Sequence, residues 1–427
     1  MILTRHEVPE KIFQALAAGE GGAEAVELLN RAQYSKRLLL LRGIRDAGGP
    51  RARHAYDLLA RIQDENPRAV ETVLRYPTVG EWARRTLLVL TGREPGAANP
   101  DEFAGLAAAA AIRAGHPCAI EVPARDGAIT LPSLGRTPIP ESALVRVTPE
   151  GTTIGTGSDA LRLPPDPHKD APGWQAVRSL PGGLLLDDHD PDRMPGGTAL
   201  PRRLTGPELA HWEATLTEAR RILARHHRIA AAETTAAITV LTPLVAPEHG
   251  QSSATPKHAF GNVGLSTPPD ALFLAVTFAH EVQHTKLTGL LELVPLTRPD
   301  DGTRYYAPWR TDPRPVPGLL QGVYAHLGIA AFWRVQRHHE TGESALRAHA
   351  DFARWRTATD LILRTLAATG DLTPDGERFV TGMAHTLRPW LDEPVPPDAL
   401  ALSLDAAAHH LATWRAAHGD PPPLQGL

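Results

Sequence analysis

Thr267-Pro268-Pro269-Asp270-Ala271-Leu272-Phe273-Leu274-Ala275-Val276-Thr277-Phe278-Ala279-His280-Glu281-Val282-Gln283-His284 opens on turn and capping residues, runs through an apolar stretch and ends on two histidines four apart. Thr267 can cap a helix, Pro268 suits the first helical position, and Asp270 three residues after Thr267 makes a weak capping box. The spacing predicts a helix from Pro268 to about Leu293, stopping before Pro295. Residues i and i+4 share a helix face, so His280 and His284 can chelate one ion. Neutral imidazole suits zinc and also iron(II), and the spacing leaves the metal open. The bland alternative is two incidental histidines on a polar face. The apolar run Ala271 to Val276 and the strand expected before it argue against that.

Downstream, Arg304-Tyr305-Tyr306-Ala307-Pro308-Trp309-Arg310-Thr311-Asp312-Pro313-Arg314-Pro315 concentrates two Tyr, one Trp and three Arg in a chain with only 5% aromatic residues. An arginine fork pairs bidentately with carboxylates, and aromatic neighbours can wall an anionic pocket. The competing reading is a loop in which Arg stacks on Trp as a structural clamp.

A further helix is expected over Gly318 to Arg337, with Leu319, Gly322, Val323, His326, Ala330 and Trp333 on one inward face. A lone histidine on an apolar face is more often a hydrogen-bonded core residue than a ligand. Here a two-histidine site still lacks a third donor. Glu292 is the rival, but it lies about 12 Å along the axis from His284 at ~1.5 Å per residue, which favours His326.

Upstream, residues 8 to 115 read as helices, ending in the alanine-rich run Phe103 to Ala114. From His116 to Asp190 short runs such as Ala119 to Val122, Ala128 to Leu131, Leu144 to Val147 and Leu184 to Leu186 alternate with turn residues, a β-rich texture. Asp187 to Gly197 is polar and turn-forming and reads as a boundary. Helix returns over Pro207 to Glu233, followed by strands at Ala237 to Leu241 and near Phe260 to Ser266. The fold class is therefore α+β, with a helical region over 1–115, a β-rich region over 116–200 and a helical metal-binding domain carrying the HExxH helix over 201–427.

Composition excludes several classes. A net charge of −4 offers no basic field to draw the 427-residue chain to nucleic acid or anionic membrane. The single cysteine, Cys118, excludes an intrachain disulfide and a cysteine metal cluster, and fits a reducing cytoplasm. Met1 to Glu10 lacks an apolar core, so a secretory signal is not expected. No stretch approaches the ~20 apolar residues of a spanning helix.

HExxH by default means a zinc hydrolase, with Glu281 activating water between the two ligands. Lys286 stands where zinc proteases usually carry an apolar or small residue, and no further histidine follows at metzincin spacing. Three stretches resemble a different group. They are Phe260-Gly261-Asn262-Val263-Gly264-Leu265-Ser266, His280-Glu281-Val282-Gln283-His284-Thr285-Lys286-Leu287, and the segment from Tyr305-Tyr306-Ala307-Pro308-Trp309-Arg310 to Leu320-Gln321-Gly322-Val323-Tyr324-Ala325. Together, over about residues 255 to 337, they look like the HExxH-motif family associated with ribosomally made peptide natural products, found beside or fused to radical-SAM maturases.

The resemblance implies an iron(II)- and 2-oxoglutarate-dependent β-hydroxylase acting on a precursor peptide. On that basis His280, His284 and His326 would bind the metal, a set that departs from the common two-histidine-one-carboxylate triad. Glu281 would orient a ligand or organise water, and Arg310 or Lys286 would meet the distal carboxylate of 2-oxoglutarate. The alternatives are a zinc metallopeptidase, one removing a leader for example, and a non-catalytic peptide-binding partner of a maturase.

Overall fold

The computed structural model describes residues 6–421. Part of the amino-terminal stretch read above for a signal, Met1 to Arg5, lies outside the described residues. The chain mixes helix and sheet. Its helices in order are α1 (Glu10–Ala17), α2 (Gly22–Ala47), α3 (Pro50–Glu65), α4 (Pro67–Leu74), α5 (Pro77–Leu90), α6 (Phe103–Ala114), α7 (Gly206–His226), α8 (Arg228–Ala237), α9 (Ala271–Leu291), α10 (Val316–Gln336), α11 (Gly342–Thr369), α12 (Pro374–Leu391) and α13 (Pro397–His418). Its strands are β1 (Cys118–Val122), β2 (Ile129–Leu131), β3 (Gly135–Thr137), β4 (Ala143–Thr148), β5 (Gly151–Ile154), β6 (Leu161–Arg162), β7 (Gln175–Ala176), β8 (Arg178–Ser179), β9 (Leu185–Leu186), β10 (Val240–Pro243), β11 (Ser253–Ala254) and β12 (Asn262–Leu265). Among the described residues no helix is long and apolar enough to cross a membrane.

Two compact units divide the chain differently from the three consecutive regions read from the sequence. One gathers Met1–Asn30, Glu218–Ala237 and Pro269–Leu427; the other gathers Arg31–Thr217 and Ile238–Pro268. The divisions fall inside α2 and inside α7. The reason is packing between segments remote in sequence: in the first unit α1 lies on α12 and α8 on α9. A left-to-right reading of composition does not register such pairings.

The second unit holds all the strands named above. Its largest sheet has the order β11-β12-β10-β9-β8, with β10 parallel to both β12 and β9 and antiparallel edges outside them. Every residue of β10 and β12 is buried, as central strands covered on both faces require. Beside it stand an antiparallel β1-β4-β5-β6 sheet and a small β2-β3-β7 sheet. Along β4 burial alternates, so Ala143, Val145 and Val147 face the core while their neighbours do not. Ala104 and Ala107 to Ala111 of α6 are buried and let the helix approach closely, and a Cβ on Gly105 would run into the Thr130 carbonyl oxygen.

The first half of the segment read as a polar boundary is interior, while Pro195, Gly196 and Gly197 are exposed. Asp187, Asp188, His189, Asp190 and Asp192 are all buried. Partners make this possible for the four aspartates, whereas both ring nitrogens of His189 are buried without one. Tyr76 Oη donates to Asp187 at 2.5 Å and Thr78 Oγ1 to Asp190 at 3.0 Å. Arg178 and Arg203 hold Asp188, and Arg125 and Arg85 hold Asp192. Asp190 has no arginine of its own, and burial, with Asp187 and Asp192 adding to it, pushes its carboxyl up to about 8.

The first unit is helical. α10 packs against both α9 and α11, and α11 in turn packs against α12 and α13. This packing positions the histidines.

Candidate metal centre

α9 begins later than its sequence signals suggest. Asp270, not Thr267, is the cap, and its carboxylate accepts the Phe273 amide at 2.8 Å. Once started, the helix is apolar nearly all round and buried accordingly. From Leu274 to Leu290 the residues that are not buried are Val276, His280, His284 and Thr288, each four after the last. Both motif histidines therefore lie on the one stripe of a buried helix that solvent can reach.

Their Nε2 atoms stand 3.2 Å apart. Two donors at ~2.0–2.1 Å from one tetrahedral ion are separated by roughly 3.3 Å, so the pair is spaced for chelation. A hydrogen bond at the far side of its ring orients the His284 donor, whereas His280 Nδ1 is buried without a partner. His284 Nδ1 lies 3.1 Å from Gln321 Oε1, and the same amide's Nε2 reaches Thr288 Oγ1 at 3.4 Å. Because the Gln321 oxygen can only accept, His284 Nδ1 donates and its Nε2 keeps a lone pair for a ligand bond. Burial, then the neighbouring His284, holds His280 down at about 4, with Glu281 opposing. The imidazole is thus neutral at ordinary pH, the form that binds metals.

His326 joins the pair from α10. Its ring centroid is 5.3 Å from that of His280, nearly perpendicular to it. His326 Nδ1 donates to the Gly322 carbonyl at 2.8 Å, which leaves Nε2 as the available donor. Burial, reinforced by His280, keeps it well below the ordinary histidine value. Trp309 stacks on it at 4.2 Å and 14°, and Trp355 of α11 tilts against it at 4.8 Å. Gly322 makes room for the indole: a Cβ there would overlap Trp309. Among the described residues no three His, Cys, Asp or Glu side chains stand as a ready-made ligand set. The donor types and the His280–His284 spacing fit a metal, and His326 would have to close on them to complete three.

The remaining residues singled out by the sequence are placed unequally. Glu281 is 1% exposed, with Oε1 3.7 Å from His280 Nε2, so it borders the pair from the protein side. Lys286 points away from the open stripe and is fully buried. Its Nζ lies 2.7 Å from Glu233 Oε1 and 3.2 Å from the carbonyls of Gly19 and Glu20. A lysine locked to a carboxylate in the interior has no charge to offer a co-substrate. Arg310 is exposed and paired with Asp312 at 2.8 Å, and Arg314 shares that carboxylate. Glu292 is the residue after the end of α9.

Sequence reasoning missed Gln321, Trp355 and Arg354. The run Arg354-Trp355-Arg356 repeats the arginine–tryptophan association seen near Trp309, and that repetition was the available signal. No family model matches the chain, and no curated protein matches it.

Proposed function

We propose that this chain is an iron(II)- and 2-oxoglutarate-dependent hydroxylase of a residue in a ribosomally made precursor peptide, working beside a radical-SAM maturase. The observation that carries the metal part is the 3.2 Å separation of His280 and His284 Nε2 on the accessible stripe of α9. The peptide and co-substrate part rests on the resemblance of residues 255 to 337 to the HExxH family of peptide maturation.

In this reading His280, His284 and His326 hold the metal, and Gln321 and the Gly322 carbonyl orient the latter two. Bound iron(II) with 2-oxoglutarate supplies the oxidant that places one atom of dioxygen in a C–H bond, the other leaving in succinate beside carbon dioxide. Trp309 and Trp355 wall His326 against bulk water. Glu281, buried with Oε1 3.7 Å from His280 Nε2, would orient a ligand or organise water.

One observation favours a second reading. Glu281 Oε1 lies only 3.7 Å from His280 Nε2, near where a zinc peptidase keeps its general base. Mass spectrometry separates the two. The chain is purified without oxygen, loaded with iron(II) or zinc, and offered small peptides encoded beside it. A gain of one oxygen with stoichiometric succinate, only with iron(II), dioxygen and 2-oxoglutarate, is expected. Cleavage by the zinc form without oxygen would establish the peptidase instead.

A further inference from the structure

An open groove of about 1420 Å³ lies where the last turn of α6, the turn into β5 and the segment from β6 to His168 come together, all within the strand-bearing unit. Pro149, Pro164, Pro165 and Pro167 line it, together with Ile112 and Leu163. A proline ring fixes its own φ, so this apolar wall is shaped before anything binds. Two arginines, Arg113 and Arg162, line the same groove.

Arg113 is half-buried and held by neutral groups. Its Nε donates to Ser133 Oγ at 3.1 Å and its Nη2 to the Ser133 carbonyl at 2.9 Å, while the same Nη2 lies 3.4 Å from His168 Nε2. His168 Nδ1 is 2.8 Å from the Val177 carbonyl. That oxygen can only accept, so Nδ1 donates and Nε2 takes the Arg113 N–H as a neutral acceptor. Serine and histidine thus fix the guanidinium in place, leave Nη1 unspent and leave the charge unmatched. Burial lowers Arg113 from its ordinary value, and no carboxylate opposes the shift. The last turn of α6 suits a cation and offsets part of that cost. Arg162, exposed on β6, donates to the Glu150 carbonyl. Glu150 is the one acidic residue lining the groove, and among the described residues it forms an ion pair with neither arginine.

We propose that this groove binds an oxyanion with an apolar body, a carboxylate or a phosphate monoester, with Arg113 as the fixed contact, Arg162 as the outer one and the proline wall against the body. Carboxylate and phosphate both match the planar guanidinium fork, and a partly desolvated cation gains most from meeting one. His168 and Ser133 act as positioning residues, because they aim Arg113 without spending its charge. The inference stands apart from the metal centre and from the hydroxylase reading.

Isothermal titration of the full chain tests it, with benzoate, phenyl phosphate and uncharged benzamide as probes. The parent should bind at least one of the two anions with a Kd below about 1 mM and give no saturable heat with benzamide. Tighter phenyl phosphate assigns the groove to phosphate esters, and tighter benzoate assigns it to carboxylates. Arg113→Gln should weaken the bound anion about 10-fold, equivalent to ~1.4 kcal/mol, with Arg113→Lys recovering part of the loss. Arg162→Gln should weaken it about 3-fold, as fits an exposed contact, and should melt with the parent, so that unfolding cannot explain its effect. Arg51→Gln removes an equal charge from an exposed side chain outside the groove and should bind as the parent does. Equal weakening by Arg51→Gln would reduce the effect to net charge and overturn the site. Parent-like binding by both groove variants, benzamide binding as tightly as the anions, or a parent that binds neither anion would overturn it as well.

Discussion

Lys286 Nζ and Glu233 Oε1 are 2.7 Å apart in the interior of the helical unit, with side chains 0% and 2% exposed. A residue of the metal-motif helix is thereby tied to α8, and the same ammonium gathers the carbonyls that end the turn after α1. Breaking one side of a buried pair strands the other charge, which typically costs about 3–5 kcal/mol. Lys286→Met and Glu233→Gln should each lower stability by roughly that much in urea denaturation. The double variant Lys286→Met/Glu233→Leu should recover most of it, because an apolar pair leaves no stranded charge. A Lys286→Met chain as stable as the parent would refute the structural assignment.

Metal retention should depend on His280 and His284 and not on Glu281. His280→Ala and His284→Ala are each expected to abolish bound metal after dialysis, with helical circular dichroism unchanged. Glu281→Gln should keep its metal, since its carboxylate lies beside a ligand and is not one. Equal loss of metal from Glu281→Gln, measured by inductively coupled plasma mass spectrometry, would make Glu281 a ligand.

Gly322 and Trp309 should behave as a coupled pair. A methyl group on Gly322 meets the indole that covers His326, and overpacking of this kind costs typically about 1–3 kcal/mol. Gly322→Ala should therefore be destabilising in the parent and nearly neutral in a Trp309→Ala background, where the clash has gone. Additive effects in the four-member cycle would show that the two do not touch in solution.

Asp190 gives the strand-bearing unit a dependence on pH. Its folded value is raised to about 8 from the ordinary 3.8. Between those limits the folded state binds a proton that the unfolded state has released, so stability falls as pH rises from about 4 and levels off above 8. Asp190→Asn keeps an acceptor for the Asp192 amide and removes the titration. The variant should be more stable than the parent at pH 8.5, by roughly 2 kcal/mol or more, a tenfold change in proton affinity being worth ~1.4 kcal/mol. The gain should shrink towards pH 5. A gain independent of pH would mean that Asp190 is not the titrating group.

Arg310 should prove nearly silent for stability. Its ion pair with Asp312 is exposed, and such pairs contribute at most about 1 kcal/mol. Arg310→Ala should shift the denaturation midpoint little, and a loss of several kcal/mol would contradict the exposed placement.

Much of the local order could be read along the chain because it depends on near neighbours. Alanine-rich α6, the strands β1, β2, β4 and β9, α10 and the i, i+4 pair His280–His284 follow from periodicity, propensity and capping over a few residues, whereas β3 and β5 to β8 escape that reading. Even there, small errors have a physical cause. Thr267 looked like a cap, but Asp270 is the side chain that reaches the Phe273 amide, so α9 starts at Ala271. What only tertiary structure decided is where each charge finds its partner. The sequence could not show that Lys286 on α9 meets Glu233 on α8, nor that Asp187, Asp188, Asp190 and Asp192 are buried because Tyr76, Thr78 and four arginines satisfy them. It could not show that Trp309 and Trp355 close on His326, or that Arg354 packs over Trp355. Helix periodicity is a property of neighbours along the backbone, whereas the free energy of a buried charge is set by atoms within a few ångströms in space, and those come from anywhere in the chain.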